Sequence, residues 1–211
     1  MTTDPNHRTI AAVLLAAGES TRMREADAEL PSKALLPWKG GEPLIAYQVH
    51  ALHEAGYDPI VVVLGHEAGA VADALPEDVE VNALYNPRYE QGRTWSIMAG
   101  LLPIASYETD AVLIISVDQP RSAAMLRALR ERWLDGEPFI VVPSLNGKAG
   151  HPPLFDGTLI PELLQTNEQT QGLRQVMLNF ADKRVFLDVD DPLTLTNLNT
   201  HEDYEAALRL A

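Results

Sequence analysis

Two basic residues and one carboxylate follow apolar runs at positions where they could handle phosphate chemistry. The run "TIAAVLLA" (9–16) leads into "AGESTRM" (17–23), whose small residues would let backbone N–H groups approach an anion, while Arg22 offers a fork of donors. Lys33, in "LPSKALLPW", could place its ammonium against the same phosphates. Asp118 ends the run "LIISVD" and carries the hard oxygens that Mg²⁺ takes alongside substrate phosphates. The pattern indicates a site for a phosphorylated ligand.

Each of these residues also has a purely structural interpretation. The segment 17–23 fits an ordinary strand-to-helix turn with a surface arginine, and Lys33 taken alone fits a solvated lysine better than a ligand. Asp118 could cap the helix that follows it, but Ser122 is better placed for that. The phosphate signatures G-x-G-x-x-G and G-x-x-x-x-G-K-[ST] are absent from the sequence. The residues alone favour a functional role for Asp118, leave that of Arg22 open and favour a solvated side chain for Lys33.

The acidic composition restricts the possible partners. The 211 residues include 30 Asp and Glu against 16 Lys and Arg, which gives a net charge of -14. Nucleic acids and anionic membranes demand a cationic surface, so neither is expected as a partner. A polyanionic ligand would need local cations or a bound metal ion. The sequence has no cysteine, which excludes disulfides, thiolate nucleophiles and zinc-thiolate sites.

The beginning of the chain and its hydropathy predict neither a secretory leader nor a membrane span. The segment "MTTDPNHR" is polar, and no apolar run reaches the roughly 18 residues that a membrane helix needs. We expect a cytoplasmic location, a disordered or flexible N-terminus over residues 1–8 and a single domain over residues 9–211.

Apolar runs and helical patterns alternate along the chain. Runs rich in β-forming residues lie at 9–16, 58–65, 79–85, 110–117 and 138–144. Helical patterns lie at 43–56, 67–75, 94–104 and 122–134. The later part is less regular, with helices near 157–164, 172–180 and 201–210 and a short strand at 183–189. This succession predicts a three-layer α/β/α, Rossmann-like fold with a mostly parallel sheet, whose ligands bind at the carboxyl ends of the strands.

Several motifs occur in an order that resembles a known family. They are "LLAAGESTRM", the lysine at 33, "NPRYEQGRTWSIMAGL" (86–101), "VDQPR" (117–121), "GHPPLF" (150–155) and "NLNTHEDY" (197–204). The ordered set, which spans nearly the whole chain, resembles the molybdenum cofactor nucleotidyltransferases within the glycosyltransferase-A-like nucleotidyltransferase superfamily. "LAAG", with "DQP" and "GHP", looks more like the cytidylyl-transferring branch than the guanylyl branch, which usually has "LAGG".

The resemblance implies roles for individual residues. The nucleotide would be bound by Leu15, Ala16, Ala17, Gly18, Ser20, Arg22, Lys33, Asn86, Gly92, Ser96 and Gly100. Catalysis would rest on Arg22, Lys33 and Asp118: the two basic residues and a Mg²⁺ ion bound by Asp118 would neutralise the phosphate charge. The second substrate would face Gln119, Pro120, Gly150, His151 and Pro152. Asp118 would bind Mg²⁺, with Asn197 and Asn199 as further ligands that close the site.

Two departures from the family pattern bear on these roles. Nine residues separate Met23 from Lys33, where the molybdenum branch usually has only a few. We expect this acidic insertion to form a surface bulge from which Lys33 folds back to the site. "NLN" replaces the commoner "DID", so the second metal ligand is neutral. The carboxylates of "DVDDP" (188–192) are an alternative cation site or a solvated turn.

The activity implied is Mg²⁺-dependent transfer of CMP from CTP to a phosphorylated acceptor, molybdopterin, with release of pyrophosphate. One alternative keeps the chemistry but takes a sugar phosphate or methylerythritol phosphate as acceptor. Another is a non-catalytic nucleotide- or pterin-binding maturation protein that has a molybdenum enzyme as its partner. A nicotinamide oxidoreductase is disfavoured because G-x-G-x-x-G is missing.

Overall fold

A central eight-stranded sheet organises the computed structural model, which describes residues 8–20, 23, 31–105, 108–170 and 172–211. The strands are β1 (Ile10–Ala16), β2 (Ile60–Leu64), β3 (Asn82–Tyr85), β4 (Ala111–Ser116), β5 (Ile140–Leu145), β6 (Lys148–Ala149), β7 (Leu154–Asp156) and β8 (Arg184–Asp188). Their order is β3-β2-β1-β4-β7-β5-β6, and β8 also pairs with β5. All seven residues of β1 are buried, as expected for an apolar strand with neighbours on both edges.

The sheet is mostly parallel, as predicted. β1 pairs in parallel with β2 and β4, β2 with β3, and β5 with β8. β7 is antiparallel to both β4 and β5 and lies between them, and the short β6 is antiparallel to β5. Strands β6 and β7 were not predicted, because two or three residues are too few to show a periodic pattern. β7 nevertheless fixes the segment "GHPPLF" against the centre of the sheet.

Helices cover both faces of the sheet and complete the predicted three layers. They are α1 (Leu44–Glu54), α2 (Ala68–Asp73), α3 (Arg93–Ile104), α4 (Ala123–Leu134), α5 (Ile160–Leu164), α6 (Leu173–Asn179) and α7 (His201–Leu210). Alternate residues of β1 face two separate cores. Leu14 packs in the core that contains α1 and α4, whereas Val13 packs in the core that contains α3 and α5.

Local signals in the sequence account for several helix ends. Gly56 adopts a left-handed φ of 85° just beyond α1. Ser122 caps α4, since its side chain accepts the Met125 N–H at 3.2 Å. Thr200 and Asp203 form a reciprocal capping box at the start of α7. These three features agree with the sequence pattern.

The carboxyl ends of β1 and β4 lie side by side at the point where the strand order reverses. From β1 the chain builds outward through β2 and β3, and from β4 it builds outward in the other direction. Leu15 and Ser116 are paired in register at these ends. Ligands of open α/β sheets bind in the crevice at such a reversal. The loops over 17–20 and 117–121 therefore meet where a ligand site is expected.

Two further observations concern the ends and the helices of the fold. Arg8, the last residue of the segment predicted to be flexible, forms ion pairs with Asp110 and Glu137. The remainder of the segment 1–8 lies outside the described residues. None of the helices in the described ranges is long and apolar enough to cross a membrane.

Candidate active site

A cavity of about 260 Å³ opens at the carboxyl ends of β1 and β4. We call it the nucleotide cavity. Its lining residues are Leu15, Ala17, Gly18, Ser20, Lys33, Tyr89, Gly92, Arg93, Ser96, Ser116, Val117 and Asp118. Three motifs that are far apart in the sequence thus supply one wall each, and most of the predicted nucleotide-binding residues are among them.

Lys33 and Asp118 face each other in this cavity. The Lys33 Nζ lies 4.0 Å from Asp118 Oδ2, with side chains 11% and 30% exposed. The Lys33 backbone N–H donates to Ser20 Oγ at 3.1 Å, which ties the lysine to the loop after β1. Lys33 therefore folds back to the strand ends despite the additional residues that precede it. The Asp118 carboxylate accepts no hydrogen bond from the described residues. It does not cap α4 either, because Ser122 does so.

Glycine keeps the loop after β1 open. A Cβ atom built on Gly18 would have no neighbour within 4 Å, so this part of the cavity wall is bare backbone. Bare backbone lets N–H groups approach a phosphate closely. The loop can therefore cradle an anion without a side chain in the way.

The N-terminus of α3 forms the opposite wall and is held by a carboxylate. Glu168 Oε1 accepts the Thr94 hydroxyl at 2.5 Å and the Thr94 N–H at 2.7 Å, and these bonds lower the pKa of Glu168. Gly92, with φ of 117°, makes this contact possible because a Cβ there would lie 2.4 Å from Glu168 Oε1. Glu168 was not singled out in the sequence; its role depends on a contact 74 residues away.

Three predicted nucleotide-binding residues lie behind the cavity wall. Asn86 is buried and its Nδ2 donates to Ser96 Oγ at 3.0 Å, so it orients Ser96. Gly100 lets α3 approach the sheet, since a Cβ there would lie 2.3 Å from Val13 Cγ1. Ala16 is buried within β1. Arg22, which the sequence predicts as a catalytic cation, lies outside the described residues and stays a prediction.

A second cavity, of about 470 Å³, adjoins the first, and Arg93 lines both of them. We call it the acceptor cavity. Its lining residues are Arg93, Thr94, Ile97, Val142, Ala149, Gly150, His151, Pro153, Glu168, Gly172, Leu173, Arg174, Met177 and Arg184. Gly150 and His151 were predicted to face the second substrate, and both line this cavity. Pro120 and Pro152 are buried and line neither cavity.

The predicted Asn motif lies against the end of β4. The Leu198 N–H donates to the Asp118 carbonyl at 2.8 Å, which fixes the segment 197–199 beside the cavity. Asn197 Oδ1 accepts from Gln119 Nε2 at 2.8 Å, so the buried Gln119 holds this segment in place. Gln119, which was predicted to face the second substrate, lines neither cavity. The Asn199 side chain makes no hydrogen bond within the described part of the chain. Asn199 is thus the more available of the two amide oxygens.

Arg121 is a central residue that sequence reasoning missed. It is fully buried, and its guanidinium donates to the backbone carbonyls of His151, Pro120, Thr194 and Thr196 at 2.7–3.2 Å. Burial lowers the pKa of Arg121 to about 10, against the opposing field of nearby carboxylates, so it stays charged at neutral pH. This one side chain holds together the loop after β4, the loop between β6 and β7 that carries His151, and the segment 194–196.

Arg93 and His151 set the electrostatics where the cavities meet. Both side chains line the acceptor cavity and remain accessible to solvent, and partial desolvation by the protein around them lowers the pKa of each. Arg93 and Arg121 lower the pKa of His151 further, while Asp118 opposes this effect. His151 is therefore neutral at pH 7, and Arg93 is a cation placed between the two cavities.

The donor atoms near Asp118 suit a cation that completes its coordination with substrate. No cluster of three His, Cys, Asp or Glu side chains that could hold a metal occurs in the described ranges. Mg²⁺ commonly takes one or two protein carboxylates together with substrate phosphates and water, and the Asp118 carboxylate in the lining of the nucleotide cavity fits that requirement. In the alternative cluster, Asp191 already accepts from the Ser122 hydroxyl and the Leu193 N–H. Asp188 accepts weakly from Ser144 at 3.4 Å.

Sequence similarity assigns the chain to a family. A family model described as the MobA-like NTP transferase domain matches residues 12–185, and the chain therefore belongs to that family. It is 24% identical to the molybdenum cofactor cytidylyltransferase of Escherichia coli over 190 residues, covering 87% of this chain and 92% of that protein. It is 35% identical to the bifunctional protein GlmU of Sinorhizobium fredii over 136 residues. That match covers 64% of this chain but only 28% of GlmU.

Solved structures share the same architecture. A nucleotidyl transferase from Methanothermobacter superimposes with a TM-score of 0.79 at 26% identity, covering 96% of this chain and 97% of that one. Rv0371c from Mycobacterium tuberculosis, solved as a complex with manganese, gives a TM-score of 0.69 at 24% identity over 95% of this chain and 98% of that one. The family and these structural relatives define the protein as a nucleotidyltransferase.

Proposed function

We propose that this nucleotidyltransferase transfers CMP from CTP to a phosphorylated ring acceptor, molybdopterin, and releases pyrophosphate. The observation that carries the proposal is the pairing of Lys33 with Asp118 in the nucleotide cavity, beside a larger cavity for a second substrate. The similarity to the E. coli molybdenum cofactor cytidylyltransferase extends over nearly the full length of both chains and supports the choice of nucleotide and acceptor.

The reaction needs positioning and charge neutralisation more than covalent chemistry from the protein. An acceptor phosphate oxygen attacks the α-phosphorus in line, a new P–O bond forms, and the bond to the leaving pyrophosphate breaks. The acceptor phosphate has a second pKa of about 6 and is already ionised, so no general base is required. Lys33 holds an α-phosphate oxygen, and Arg93 holds the acceptor phosphate at the junction of the cavities.

A divalent cation fits this site as a cofactor. Asp118 would hold it, with Asn199 as a second ligand, and the ion would neutralise the triphosphate and polarise the α-phosphate. Rv0371c is a structural relative that binds manganese. We propose Mg²⁺ because hard carboxylate and amide oxygens in combination with phosphates are the ligands that it prefers. Together with Lys33 and Arg93, the Mg²⁺ ion would offset the repulsion expected between a protein of net charge -14 and a triphosphate.

The lining of the acceptor cavity favours a flat aromatic ring over a sugar. Its floor consists of aliphatic and thioether side chains, namely Ile97, Val142, Leu173 and Met177. A flat aromatic ring presents apolar faces to these side chains and keeps its polar groups at its edge, whereas the hydroxyl groups of a sugar lie on both of its faces. The phosphate of such an acceptor reaches Arg93.

A sugar phosphate acceptor is the second candidate. The match to GlmU has a higher identity, 35%, although the chain spans less than a third of that protein's length. It differs from the first candidate only in what the acceptor cavity holds. Both keep the same reaction at the α-phosphorus.

Pyrophosphate release distinguishes the candidates. The purified protein is incubated with Mg²⁺ and each of the four nucleoside triphosphates, with molybdopterin, glucosamine 1-phosphate, methylerythritol phosphate or no acceptor. We expect release only with CTP and molybdopterin together. Release that requires a sugar phosphate would replace the first candidate by the second, and no release with any pair would contradict the proposed activity.

A further inference from the structure

We propose that Arg174 and Arg184 bind a second anionic group of the acceptor, distinct from the phosphate that reacts. The inference rests on the proposed function, because it concerns the ligand of the same cavity. It defines the substrate class further: a phosphorylated acceptor with a flat aromatic ring and a second negatively charged group.

The distribution of the arginines over the two cavities separates two anion positions. Arg93 lines both cavities, so it marks the junction where the acceptor phosphate must meet the α-phosphorus. Arg174 and Arg184 line the acceptor cavity only. A single phosphate bound by Arg93 at the junction would therefore leave Arg174 of α6 and Arg184 of β8 available to a second anionic group.

Both guanidinium groups retain donors for a ligand. Arg174 makes no hydrogen bond or ion pair with any described residue. Arg184 makes one long bond, from Nε to the Ala181 carbonyl at 3.4 Å, and its guanidinium carbon lies 5.8 Å from the Phe186 ring centre. Guanidinium forks of this kind match the geometry of carboxylates and phosphates.

The charge balance of the acceptor cavity also favours an anion. Among the described residues, Glu168 is the one acid in its lining, and Glu168 Oε1 is already engaged by Thr94. Three arginines against one carboxylate make the cavity cationic in a chain of net charge -14. Local concentration of one sign of charge in a concave site with apolar walls attracts ligands of the opposite sign.

Binding of fluorescent pterins tests the inference without turnover or CTP. Pterin and 6-carboxypterin share a ring, but only the second carries a carboxylate. Titration of the wild-type protein, followed by pterin fluorescence, should show tighter binding of 6-carboxypterin. Arg174→Met and Arg184→Met should each weaken that binding about 10-fold, the lower end of what a hydrogen bond to a charged group contributes. Binding of pterin itself should not change.

Two further variants complete the design. Arg132→Met removes a partly exposed arginine whose Nη1 donates to the Asp135 carbonyl at the end of α4, and it should leave the binding of both pterins unchanged. Arg174→Lys keeps the charge and should recover part of the lost affinity. Circular dichroism of each variant shows that the fold is retained.

The outcomes separate the inference from the proposed function. Equal affinity for the two pterins in the wild type, or unchanged affinity for 6-carboxypterin in both arginine-to-methionine variants, overturns the inference, whether or not CMP transfer to molybdopterin occurs. If transfer to molybdopterin fails while discrimination between the pterins still depends on the two arginines, the second anion site stands and the proposed reaction does not.

Discussion

The nucleotide cavity and the acceptor cavity are neighbours, but they are built in different ways. The nucleotide cavity is formed by loops that directly follow β1 and β4, together with the start of α3. The acceptor cavity also uses the first half of α3 and takes its other walls from β5, the short strand β6 and the residues after it, Glu168, the segment 172–177 and the first residue of β8. Apart from the shared helix α3, one cavity is framed by the regular half of the fold and the other by the irregular half.

This difference in construction determines how freely the residues and the ligand of each site can change. Strand ends in a parallel sheet are fixed by long hydrogen-bonded registers, such as the six paired positions between β1 and β4. A site built there keeps its geometry and suits chemistry common to all members of a family. Loops and short strands tolerate substitution and insertion, so an acceptor site can change its ligand while the reaction stays the same. The predictions below test that division.

The largest effect is expected at Asp118, on the reaction itself. Asp118→Asn keeps the shape of the side chain but removes the charge that would hold the cation, and we expect a loss of about 100- to 1000-fold in kcat, as for other charge-stabilising groups. The measurement is pyrophosphate release at saturating substrates. The loss should be equal for every acceptor that supports turnover.

Asp188→Ala provides the matched control for Asp118. Its carboxylate belongs to the alternative acidic cluster and accepts only a weak bond from Ser144. We expect kcat within about 2-fold of the wild type, because surface substitutions away from a site have small effects. If Asp188→Ala abolished turnover while Asp118→Asn retained it, the cation would have to be placed in the acidic cluster.

Arg121 links the two cavities and should be the most important residue for stability among those considered. Arg121→Met would leave several buried carbonyls, including those of Thr194 and Thr196, without their donor. We expect the free energy of unfolding to fall by about 3 kcal/mol, in the range seen when one partner of a buried charged group is removed. Chemical denaturation measures this change, and Arg132→Met, at a partly exposed surface position, should change the free energy of unfolding by less than about 0.5 kcal/mol.

The same variant also tests the division between cavities. Since Arg121 holds the His151 carbonyl and the C-terminal segment, its loss should raise KM for the acceptor more than KM for CTP. Equal increases in both constants would mean that Arg121 supports the whole edge of the sheet rather than the acceptor side.

Two glycines should respond in opposite ways to the same added methyl group. In Gly100→Ala the Cβ would lie 2.3 Å from Val13 Cγ1 and 2.9 Å from Val63 Cγ2, so α3 must move off the sheet. We expect a loss of about 1–3 kcal/mol in the free energy of unfolding, the usual cost of overpacking. In Gly18→Ala the methyl group meets no protein atom within 4 Å. It should leave stability intact and raise KM for the triphosphate, because it enters the space of the ligand.

Gly69→Ala is the control for the glycine pair. Gly69 lies in α2, and its added Cβ would also have no neighbour within 4 Å. Alanine should stabilise this helix by about 0.5–1 kcal/mol and leave the kinetics unchanged. If Gly18→Ala behaved like Gly69→Ala in both assays, the loop after β1 would not contact the nucleotide.

The sequence predicts the nucleotide side of the molecule much better than the acceptor side, for physical reasons. The buried strands β1 and β4 are continuous apolar runs, and the residues after them form recognisable motifs. By contrast, β7 has three residues and no period of its own. Arg121 lies within a recognised motif, yet its partners are backbone carbonyls, which leave no mark in the sequence. Arg93 gains its place between the cavities only when α3 packs on the sheet.

The smallest expected effect lies far from both cavities, at His50 on the outer side of α1. Its Nδ1 lies 3.2 Å from Glu42 Oε2 and its Nε2 lies 3.1 Å from Asp78 Oδ1. Burial alone would lower the pKa of His50, but hydrogen bonds to Asp78 and Glu42 outweigh it, and the pKa is raised. A group whose pKa is higher in the folded state stabilises the fold below its unfolded pKa of about 6.5, and this contribution is lost as pH rises through the folded value.

His50→Gln should therefore lower the denaturation midpoint at about pH 6 and have no effect at about pH 9, where the wild-type imidazole is neutral. The gap at low pH should be smaller than that of Gly100→Ala and should shrink with added salt, because each of the side chains involved is at least a third exposed. A gap that widens as the pH rises would mean that neutral His50 stabilises the fold by packing rather than by charge.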